Sequence, residues 1–534
     1  MKYCENFCLK KIVFVQNFTR WGIARGRRAE RSPPSFLRPS SAGAQDKIHE
    51  ASPASAGIAA IRISPCRLIV ILWLLLGITC IALVPIEHRD DLNYLGIAWN
   101  MFKAHSWLFT YSMADAQKVD LEKTPLLYWL ILTSWHIFGV SDVVAKVVIF
   151  GIGTAGFWLT YLLARQLFPE NPRIAWLSLL VLLCNFLWPR YVGSNIRFEG
   201  LVTLFGLLFL IFLLKYLRDY SWAWLAAAGI AFGFCLFAKG GVGFIYYLPV
   251  AILLPYLINK PLNLHWLLAL IAVVGLALLL PAIYLVYLYV SLGSPDLHYL
   301  LVTQVSQRVG LNFQIKTLLG VIACFSPVIL LFRFQKPSMD RRILILLIPI
   351  FLVFLFFALM VSIQSKRYLI PIFPLMALVI AYLIDQMNRY DRKIMGFAIV
   401  FSVVMMVNNV WSCWGEVAKY DKNVTMLGAE IRSLQLQGYP VALFTDQIWY
   451  QHLEFLGRLP KDLPTILHPD EQIRWLQKNP HGYLIENCEP SVKISPNCYQ
   501  LTKDSLTLSV WNQQPIRYWP NILAKKWGLK IIPY

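Results

Sequence analysis

Two adjacent aspartates, Asp90 and Asp91, open the stretch of this sequence whose residue types could do chemistry. Tyr94 follows three residues later, and the turn at 122–125 reads Glu-Lys-Thr-Pro. Carboxylates can serve as general bases, and lysine stabilises negative charge that develops on a leaving group. The stretch lies between two apolar runs, and ionisable groups at a membrane edge are costly unless hydrated or used. We therefore expect residues 87–139 to form the loop of a functional site.

The composition indicates a polytopic membrane protein. Of the 534 residues, 57% are hydrophobic and only 15% are charged, whereas a soluble globular chain carries about 25% charged residues. The net charge of +20 could suggest a nucleic-acid partner, but most lysines and arginines stand in short turns between apolar runs. Basic residues in such turns orient membrane spans. The placement of the charges therefore disfavours nucleic-acid binding.

Apolar stretches near the roughly 20 residues that a bilayer requires predict about eleven transmembrane helices. They lie at about 67–84, 143–167, 174–190, 200–216, 221–238, 242–258, 266–291, 316–333, 341–362, 368–386 and 393–411. Residues 125–139 are also apolar, but about 15 residues are short for a span and favour a helix lying in the interface. With this choice, basic turns such as 333–342 fall on the cytoplasmic side, as the positive-inside rule requires.

The same alternation sends a second group of basic residues to the opposite, non-cytoplasmic face. These are Lys239 and the basic residues of the turns 190–199, 304–316 and 364–368. The positive-inside rule does not explain them. Because Lys and Arg are the usual ligands of phosphate in proteins, we expect this group to hold an anion.

The two ends of the chain differ from its apolar middle. Residues 1–60 combine arginine with Ser, Pro, Gly and Ala, a mixture typical of a disordered leader. Residues 61–411 form the predicted transmembrane domain. In residues 412–534, alternating helix and strand signals, including a strand at 440–445, predict a small α/β domain. The predicted fold class is an all-α polytopic membrane protein, with interfacial helices in its first periplasmic loop and a C-terminal α/β periplasmic domain.

Several motifs, in a fixed order, resemble those of integral-membrane glycosyltransferases of the GT-C type. The motifs are Asp90-Asp91-x-x-Tyr94, Glu122-Lys123-x-Pro125-Leu126-Leu127-Tyr128-Trp129, Phe138-Gly139-Val140-Ser141, Arg197-Phe198-Glu199, Ala238-Lys239-Gly240 and Ser365-Lys366-Arg367-Tyr368-Leu369-Ile370-Pro371. The nearest likeness is to the bacterial branch of the lipid A aminoarabinose transferase, which is related to protein O-mannosyltransferases. The resemblance covers about residues 67–390. It implies an inner-membrane enzyme that moves a sugar, with inversion, from undecaprenyl phosphate to a periplasmic lipid, glycan or protein acceptor.

The resemblance also implies a role for each candidate site residue. Asp90 is the expected general base toward the acceptor hydroxyl, and Asp91 and Glu199 are the other expected catalytic residues. The cations expected to hold the donor phosphate are Lys123, Arg197, Lys239, Arg308, Lys366 and Arg367. Glu122 aligns with a metal-linked acid, which makes it the candidate ligand of a divalent metal ion.

Simpler roles compete with these assignments. Asp90 could cap a helix, and Glu122 and Lys123 could be solvated charges of a turn. Asp91 also stands where the family often has Glu, and Glu199 stands where the family often has Asp. Val305 stands where the aminoarabinose branch has a metal-ligating histidine. The resemblance therefore leaves both the metal and the identity of the sugar open.

A transporter or flippase of lipid-linked sugars is the main alternative function. Transporters place their sites near the middle of the membrane, on interrupted helices of repeated halves. Here the charges collect in turns on one face, and no repeated halves stand out. A non-catalytic scaffold would leave the ordered set of acids and bases unexplained. The sequence thus favours the enzyme.

Overall fold

The computed structural model describes residues 64–86, 90–110, 124–293, 315–325, 328, 340–360, 365–387, 391–444, 453–466, 468–487, 498–503, 506–511 and 530–533. The predicted leader, 1–60, lies outside the described residues. The described helices are α1 (Pro65–Leu83), α2 (Asp90–Lys103), α3 (Leu126–Phe138), α4 (Asp142–Leu167), α5 (Pro172–Leu183), α6 (Trp188–Tyr191), α7 (Glu199–Asp219), α8 (Trp222–Lys239), α9 (Val242–Leu257), α10 (Leu264–Leu292), α11 (Ile315–Cys324), α12 (Arg341–Met360), α13 (Phe373–Met387), α14 (Asp391–Ser412), α15 (Glu416–Leu436), α16 (Leu453–Leu456) and α17 (Pro469–Lys478). A 3₁₀ helix, Lys366–Ile372, leads directly into α13.

Eight helical stretches in the described part of the chain are long and apolar enough to cross a membrane. They are Pro65–Leu83, Asp142–Leu167, Glu199–Asp219, Trp222–Lys239, Leu264–Leu292, Arg341–Leu359, Lys366–Gln386 and Asp391–Ser412. Each coincides with a span predicted from the sequence, which supports a multi-pass membrane protein. Helices α3, α5 and α9 are apolar but shorter. The predicted total of about eleven spans stays a prediction.

Helix α5 is shorter than the predicted span 174–190, and an asparagine explains where it ends. The helix stops at Leu183, and the side-chain oxygen of Asn185 accepts hydrogen bonds from the amides of Leu187 and Trp188, at 2.8 and 3.0 Å. These bonds satisfy the first free amides of the next helix, α6. The apolar run therefore continues through a capped turn and not as one helix.

Close packing of the central helices depends on small residues. A Cβ at Gly206 of α7 would lie 2.0 Å from the Tyr247 ring of α9, and one at Gly233 of α8 would lie 3.1 Å from the Ala277 carbonyl of α10. Glycine at such positions lets membrane helices approach closely. Helix α7 and the stretch Lys366–Gln386 are the most buried of these eight spans, with 72% of the residues in an apolar 18-residue window of each buried. Charges at the first residues of these two spans therefore lie at one end of the most enclosed helices.

The C-terminal region contains a six-stranded sheet. Its strands are β1 (Val441–Phe444), β2 (Thr465–Ile466), β3 (Tyr483–Asn487), β4 (Cys498–Lys503), β5 (Leu506–Trp511) and β6 (Lys530–Pro533), in the order β2-β1-β3-β5-β4-β6. The pairs β1–β2 and β1–β3 are parallel, and the other pairs are antiparallel. Strand β1 lies within the predicted strand 440–445, and Leu443 pairs with Ile485. The domain boundaries and the side of the membrane on which this region lies stay predictions.

Candidate functional site

Five charged side chains from four separate elements meet at one end of the bundle. We call them the site cluster, and they are Asp91, Arg197, Glu199, Lys239 and Arg367. The first turn of α2, the start of α7 with the residues before it, the last residue of α8 and the 3₁₀ helix supply them. All five were expected at the site from the sequence, and the structure brings them together.

Asp91 and Arg197 form the more deeply buried half of the site cluster. The Asp91 Oδ1 lies 3.3 Å from the Arg197 Nε, and each side chain is only 4% exposed. The Arg197 guanidinium lies 5.9 Å from the centre of the Tyr94 ring, whose edge packs on Phe198 at 5.2 Å. Burial, followed by the charge of Glu199, raises the pKa of the Tyr94 phenol, so the tyrosine stays neutral at physiological pH. This half therefore fixes the start of α2 to the start of α7.

Glu199 organises the more accessible half. Its Oε1 lies 2.6 Å from the Lys239 Nζ and 3.8 Å from the Arg367 Nε. The Glu199 side chain is 4% exposed, whereas Lys239 is 24% and Arg367 is 18% exposed. The Tyr368 ring packs beside both cations, 4.6 Å from the Lys239 Nζ and 5.4 Å from the Arg367 Cζ. A buried carboxylate thus holds two partly accessible cations on an aromatic support.

Local helix chemistry explains why these charges sit where they do. Glu199 is the first residue of α7, and the positive end of a helix dipole favours a carboxylate. Lys239 is the last residue of α8, where the negative end favours a cation. Gly240 follows with a φ of 70°, a left-handed conformation in which glycine readily ends a helix. The Thr124 hydroxyl donates to the Ala238 carbonyl at 3.1 Å and ties the loop before α3 to this end of α8.

The 3₁₀ helix is held by two tyrosines that sequence reasoning missed. The Tyr246 hydroxyl donates to the Tyr368 carbonyl, and the Tyr247 hydroxyl donates to the Pro371 carbonyl at 2.8 Å. Both tyrosines are buried in α9. Tyr368 itself appeared in a motif, but its place beneath two cations was not foreseen. No spacing in the sequence relates these residues, because the contacts join α9 to a segment more than 100 residues later.

The remaining candidates are outside the site cluster. Lys366 is half-buried, and its stem packs against α11 so closely that a Cβ at Gly320 would lie 2.4 Å from its Cε. Lys366 forms no ion pair with a residue that the structure describes. Asp90 is the first residue of α2, but its side chain lies outside the described part. Glu122, Lys123 and Arg308 also lie outside it, and their roles stay predictions.

The described residues were also compared with the ligand sets that bind metal ions in proteins. Within the described ranges, no group of three or more His, Cys, Asp or Glu side chains is arranged to hold a metal ion. The candidate ligand Glu122 falls outside those ranges.

Among the described residues, the site cluster contains three cations and two carboxylates. The excess is positive, and it lies on the more exposed side of Glu199. Such an arrangement can bind an anion and can stabilise negative charge that develops on a departing group. A buried carboxylate at the base, Glu199, keeps Lys239 and Arg367 in place.

Comparison with known proteins gives a matching fold. A crystal structure of ArnT from Cupriavidus metallidurans bound to undecaprenyl phosphate has a TM-score of 0.65 with this chain at 17% identity, and the match covers 83% of this chain and 97% of ArnT. The apo structure of the same ArnT gives the same values. An uncharacterised protein of Aquifex aeolicus (strain VF5) is 24% identical over 324 residues, which span 59% of this chain and 62% of that relative.

A family match falls on the same part of the chain. Residues 122–289 match the family described as dolichyl-phosphate-mannose-protein mannosyltransferase. This segment includes α7, α8 and three residues of the site cluster, Arg197, Glu199 and Lys239. The family match and the shared fold together confirm the resemblance expected from the sequence, that of an integral-membrane glycosyltransferase of the GT-C type.

Proposed function

We propose that this protein transfers a sugar from a polyprenyl-phosphate donor, undecaprenyl phosphate in bacteria, to an acceptor on the periplasmic side of the inner membrane. The observation that carries the proposal is the pair of partly accessible cations, Lys239 and Arg367, held by buried Glu199. A lipid-linked phosphate is an anion that reaches the end of a membrane bundle from the lipid. The likeness to ArnT, which was crystallised with undecaprenyl phosphate, supports this class of donor.

The reaction requires one bond to form as another breaks. The acceptor hydroxyl oxygen attacks the anomeric carbon on the face opposite the phosphate, and the bond from that carbon to the phosphate oxygen breaks. The electron pair leaves with the polyprenyl phosphate, and the hydroxyl proton passes to Asp90 as general base. Attack from the opposite face inverts the anomeric configuration.

The charged residues of the site cluster would have different roles in this reaction. Lys239 and Arg367 would stabilise the phosphate as its negative charge grows. Glu199, at 2.6 Å from the Lys239 Nζ, would orient these cations and not react itself. Asp91, paired with buried Arg197, would fix the first turn of α2, on which Asp90 is the neighbouring residue. Lys123, Arg308 and Lys366 are further proposed donor contacts, and Glu122 is the proposed ligand if a divalent metal takes part.

Transport of the lipid-linked sugar is the alternative, since a flippase also needs a phosphate site. The two functions differ in their need for Asp90. Sugar transfer requires a base at the acceptor hydroxyl, whereas movement of an intact lipid across the membrane breaks no glycosidic bond.

The test is an in vitro transfer assay with purified protein in lipid nanodiscs. A panel of undecaprenyl-phosphate sugars is offered together with extracted membrane lipids, and wild type is compared with Asp90→Asn. We expect wild type to consume one donor, and the variant to lose at least about 100-fold of that rate, as removal of a catalytic base does. Folded wild type that consumes no donor, but moves the same lipids between leaflets, would replace this proposal with transport.

A further inference from the structure

Helix α2 is held at both of its ends, and the second anchor comes from the C-terminal region. The first residues of α2 belong to the site described above. Its last residue, Lys103, contacts two carboxylates of the segment 453–463, which we call the docking segment. The Lys103 Nζ lies 3.3 Å from the Glu454 Oε2 and 2.7 Å from the Asp462 Oδ1.

The two carboxylates differ sharply in burial. The Glu454 side chain is 6% exposed, whereas that of Asp462 is 51% exposed. The second oxygen of Glu454, Oε1, accepts the Leu463 amide at 3.0 Å. Burial raises the pKa of Glu454, and the charge of Lys103 offsets this in part. A buried carboxylate with two fixed partners defines a position far more strictly than an exposed pair does.

The docking segment also packs on α3, the helix that follows the predicted site loop. The Phe455 ring stacks on Trp135 of α3, with centres 5.6 Å apart and planes 10° apart. The Arg458 guanidinium lies 3.8 Å from the centre of the same Phe455 ring. Arg458 has a φ of 52°, a left-handed conformation that costs energy for a side chain and persists where its surroundings fix it.

The rest of the C-terminal region holds the docking segment from behind. A Cβ at Gly428 of α15 would lie 2.5 Å from the Gly457 Cα, so the two backbones are in direct contact. The Gln435 side chain forms two hydrogen bonds with the Lys461 backbone, at 3.1 and 3.2 Å. The segment is therefore a fixed part of the fold and can transmit a position to Lys103.

Helix α2 can transmit the position of Lys103 to the aspartates at its other end. It has 14 residues and is roughly 20 Å long at 1.5 Å per residue. Leu92, Leu95, Ile97, Ala98 and Met101 are all 0% exposed. A helix packed so closely moves as a unit, because protein interiors resist deformation.

We propose that Glu454 is a positioning residue for sugar transfer, which holds Lys103 and thereby sets the orientation of α2 and of the aspartates at its other end. This role rests on the proposed function above. Glu454 lies in the docking segment and acts through Lys103 and α2, so it is not a catalytic residue. A displacement of about 1 Å at a catalytic group can cost roughly 100-fold in rate, so a modest release of α2 is enough to be measured.

The test compares Glu454→Gln with Asp462→Asn, two variants that each remove one charge from the same lysine. Steady-state kinetics use the donor that wild type consumes. We expect Glu454→Gln to lower kcat about tenfold with the donor KM within about twofold, because α2 moves while the phosphate site does not. Asp462→Asn should stay within about twofold of wild type in both constants, since an exposed pair contributes little.

A double-mutant cycle separates positioning from simple loss of folded protein. Lys103→Gln approaches the same contact from α2, and we expect the double variant Lys103→Gln/Glu454→Gln to lower kcat no further than the stronger single variant does. Hydrogen exchange of the α2 amides should be faster in Glu454→Gln and unchanged in Asp462→Asn.

Each outcome has a defined meaning. If wild type turns over and folded Glu454→Gln has the same kcat, the positioning role is overturned and the proposed function stays intact. Additive effects of Lys103→Gln and Glu454→Gln on kcat also overturn the positioning role. This result decides the question if Glu454→Gln alone is poorly folded. Absence of wild-type turnover overturns the proposed function, and the positioning role fails with it.

Discussion

The stretch Lys366–Met387 carries charge at both of its ends, and the two ends differ in construction. Arg367 at one end belongs to the site cluster. At the other end lies a second group, which we call the clamp cluster, formed by Glu170, Arg173, Asp340, Arg342, Asp385 and Asp391. The 18 residues from Arg367 to Asp385 correspond to roughly 27 Å of helix. The two clusters therefore lie at opposite ends of the bundle.

The charge balance of the two clusters is opposite. Within the described residues, the site cluster has three cations for two carboxylates, and the clamp cluster has two arginines for four carboxylates. In the clamp cluster, the Arg173 guanidinium is 2.9 Å from Asp385 and 2.7 Å from Asp391. It joins the start of α5 to the end of α13 and the start of α14. Each of the two arginines thus faces two carboxylates, which balance its positive charge.

Burial follows the same division. In the site cluster both carboxylates are 4% exposed, and Glu199 is more buried than Lys239 and Arg367, the two cations that it holds. In the clamp cluster Glu170 and Asp391 are 53% and 48% exposed, Asp340 is 25% exposed, and only Asp385, at 10%, is more buried than its arginine. The site cluster therefore has its acids in the interior and its accessible charge on cations, whereas three of the four clamp acids are at least as exposed as the arginines. The difference suggests binding at one end and stability at the other.

Lys239→Gln should have the largest effect and should act on chemistry. It removes one of the two partly accessible cations while keeping a polar side chain beside Glu199. We expect turnover to fall about 100- to 1,000-fold, as on loss of a group that stabilises charge in the transition state. Initial rates per folded protein check this. A loss under about threefold would contradict the assignment of Lys239 to the phosphate.

Arg342→Ala should have the largest effect at the clamp end and should act on stability. Arg342 contacts Asp340 at 2.7 Å, contacts Glu170, and donates to the Leu167 carbonyl at 2.8 Å. We expect a loss of about 1–3 kcal/mol, in line with charged hydrogen bonds, seen as a lower apparent melting temperature. Turnover per folded molecule should match wild type. A loss of turnover without a loss of stability would contradict the assignment of the clamp cluster to stability.

The clamp cluster should also weaken in acid. The Arg342 hydrogen bond lowers the pKa of Asp340, with burial acting against it. Burial raises the pKa of Glu170, but the Arg342 contacts outweigh it and the pKa is lowered overall. The unfolded chain then binds more protons, so this stabilisation is complete above the ordinary carboxyl pKa of about 4 and is lost as the pH falls through the folded values.

The measurement for this pH dependence is the apparent melting temperature between about pH 6 and pH 3. We expect it to fall more steeply for wild type than for Arg342→Ala, because the variant has already lost the contacts that lower both pKa values. Parallel curves for the two proteins would show that Arg342 does not set the acid response.

Asp391→Asn should have the smallest effect. The Asp391 side chain is 48% exposed, and exposed ion pairs contribute about 0–1 kcal/mol. Asp385→Asn should cost more, since Asp385 is 10% exposed and also accepts a hydrogen bond from Asn171 at 2.6 Å. Thermal unfolding of the two variants side by side gives the ranking. The reverse order would mean that burial does not govern the clamp.

The sequence predicts the membrane spans well because hydropathy is a local property. Each of the eight long apolar helices in the described part of the chain lies on a predicted span. The ends are less predictable, as α5 shows: its end depends on the Asn185 cap. Hydropathy alone could not distinguish a capped turn from a continuous helix.

The site was predictable in its members but not in its pairings. Basic residues on the face that the positive-inside rule leaves unexplained pointed to Lys239 and Arg367. Nothing in their spacing indicated that Asp91 pairs with Arg197, or that Glu199 holds Lys239. These contacts join distant elements, and only the packing of the helices brings them together. The contact between Lys103 and Glu454 could not be predicted from the sequence for the same reason.

The most direct test of the central claim is binding of undecaprenyl phosphate, without sugar or acceptor, to wild type, Lys239→Gln and Asp391→Asn in nanodiscs. The readout is the thermal stabilisation that the lipid gives over a concentration series. We predict that wild type and Asp391→Asn bind equally and that Lys239→Gln binds at least about tenfold more weakly, a difference of about 1.4 kcal/mol. Equal stabilisation of all three proteins, or of none, would contradict a phosphate site built on the site cluster.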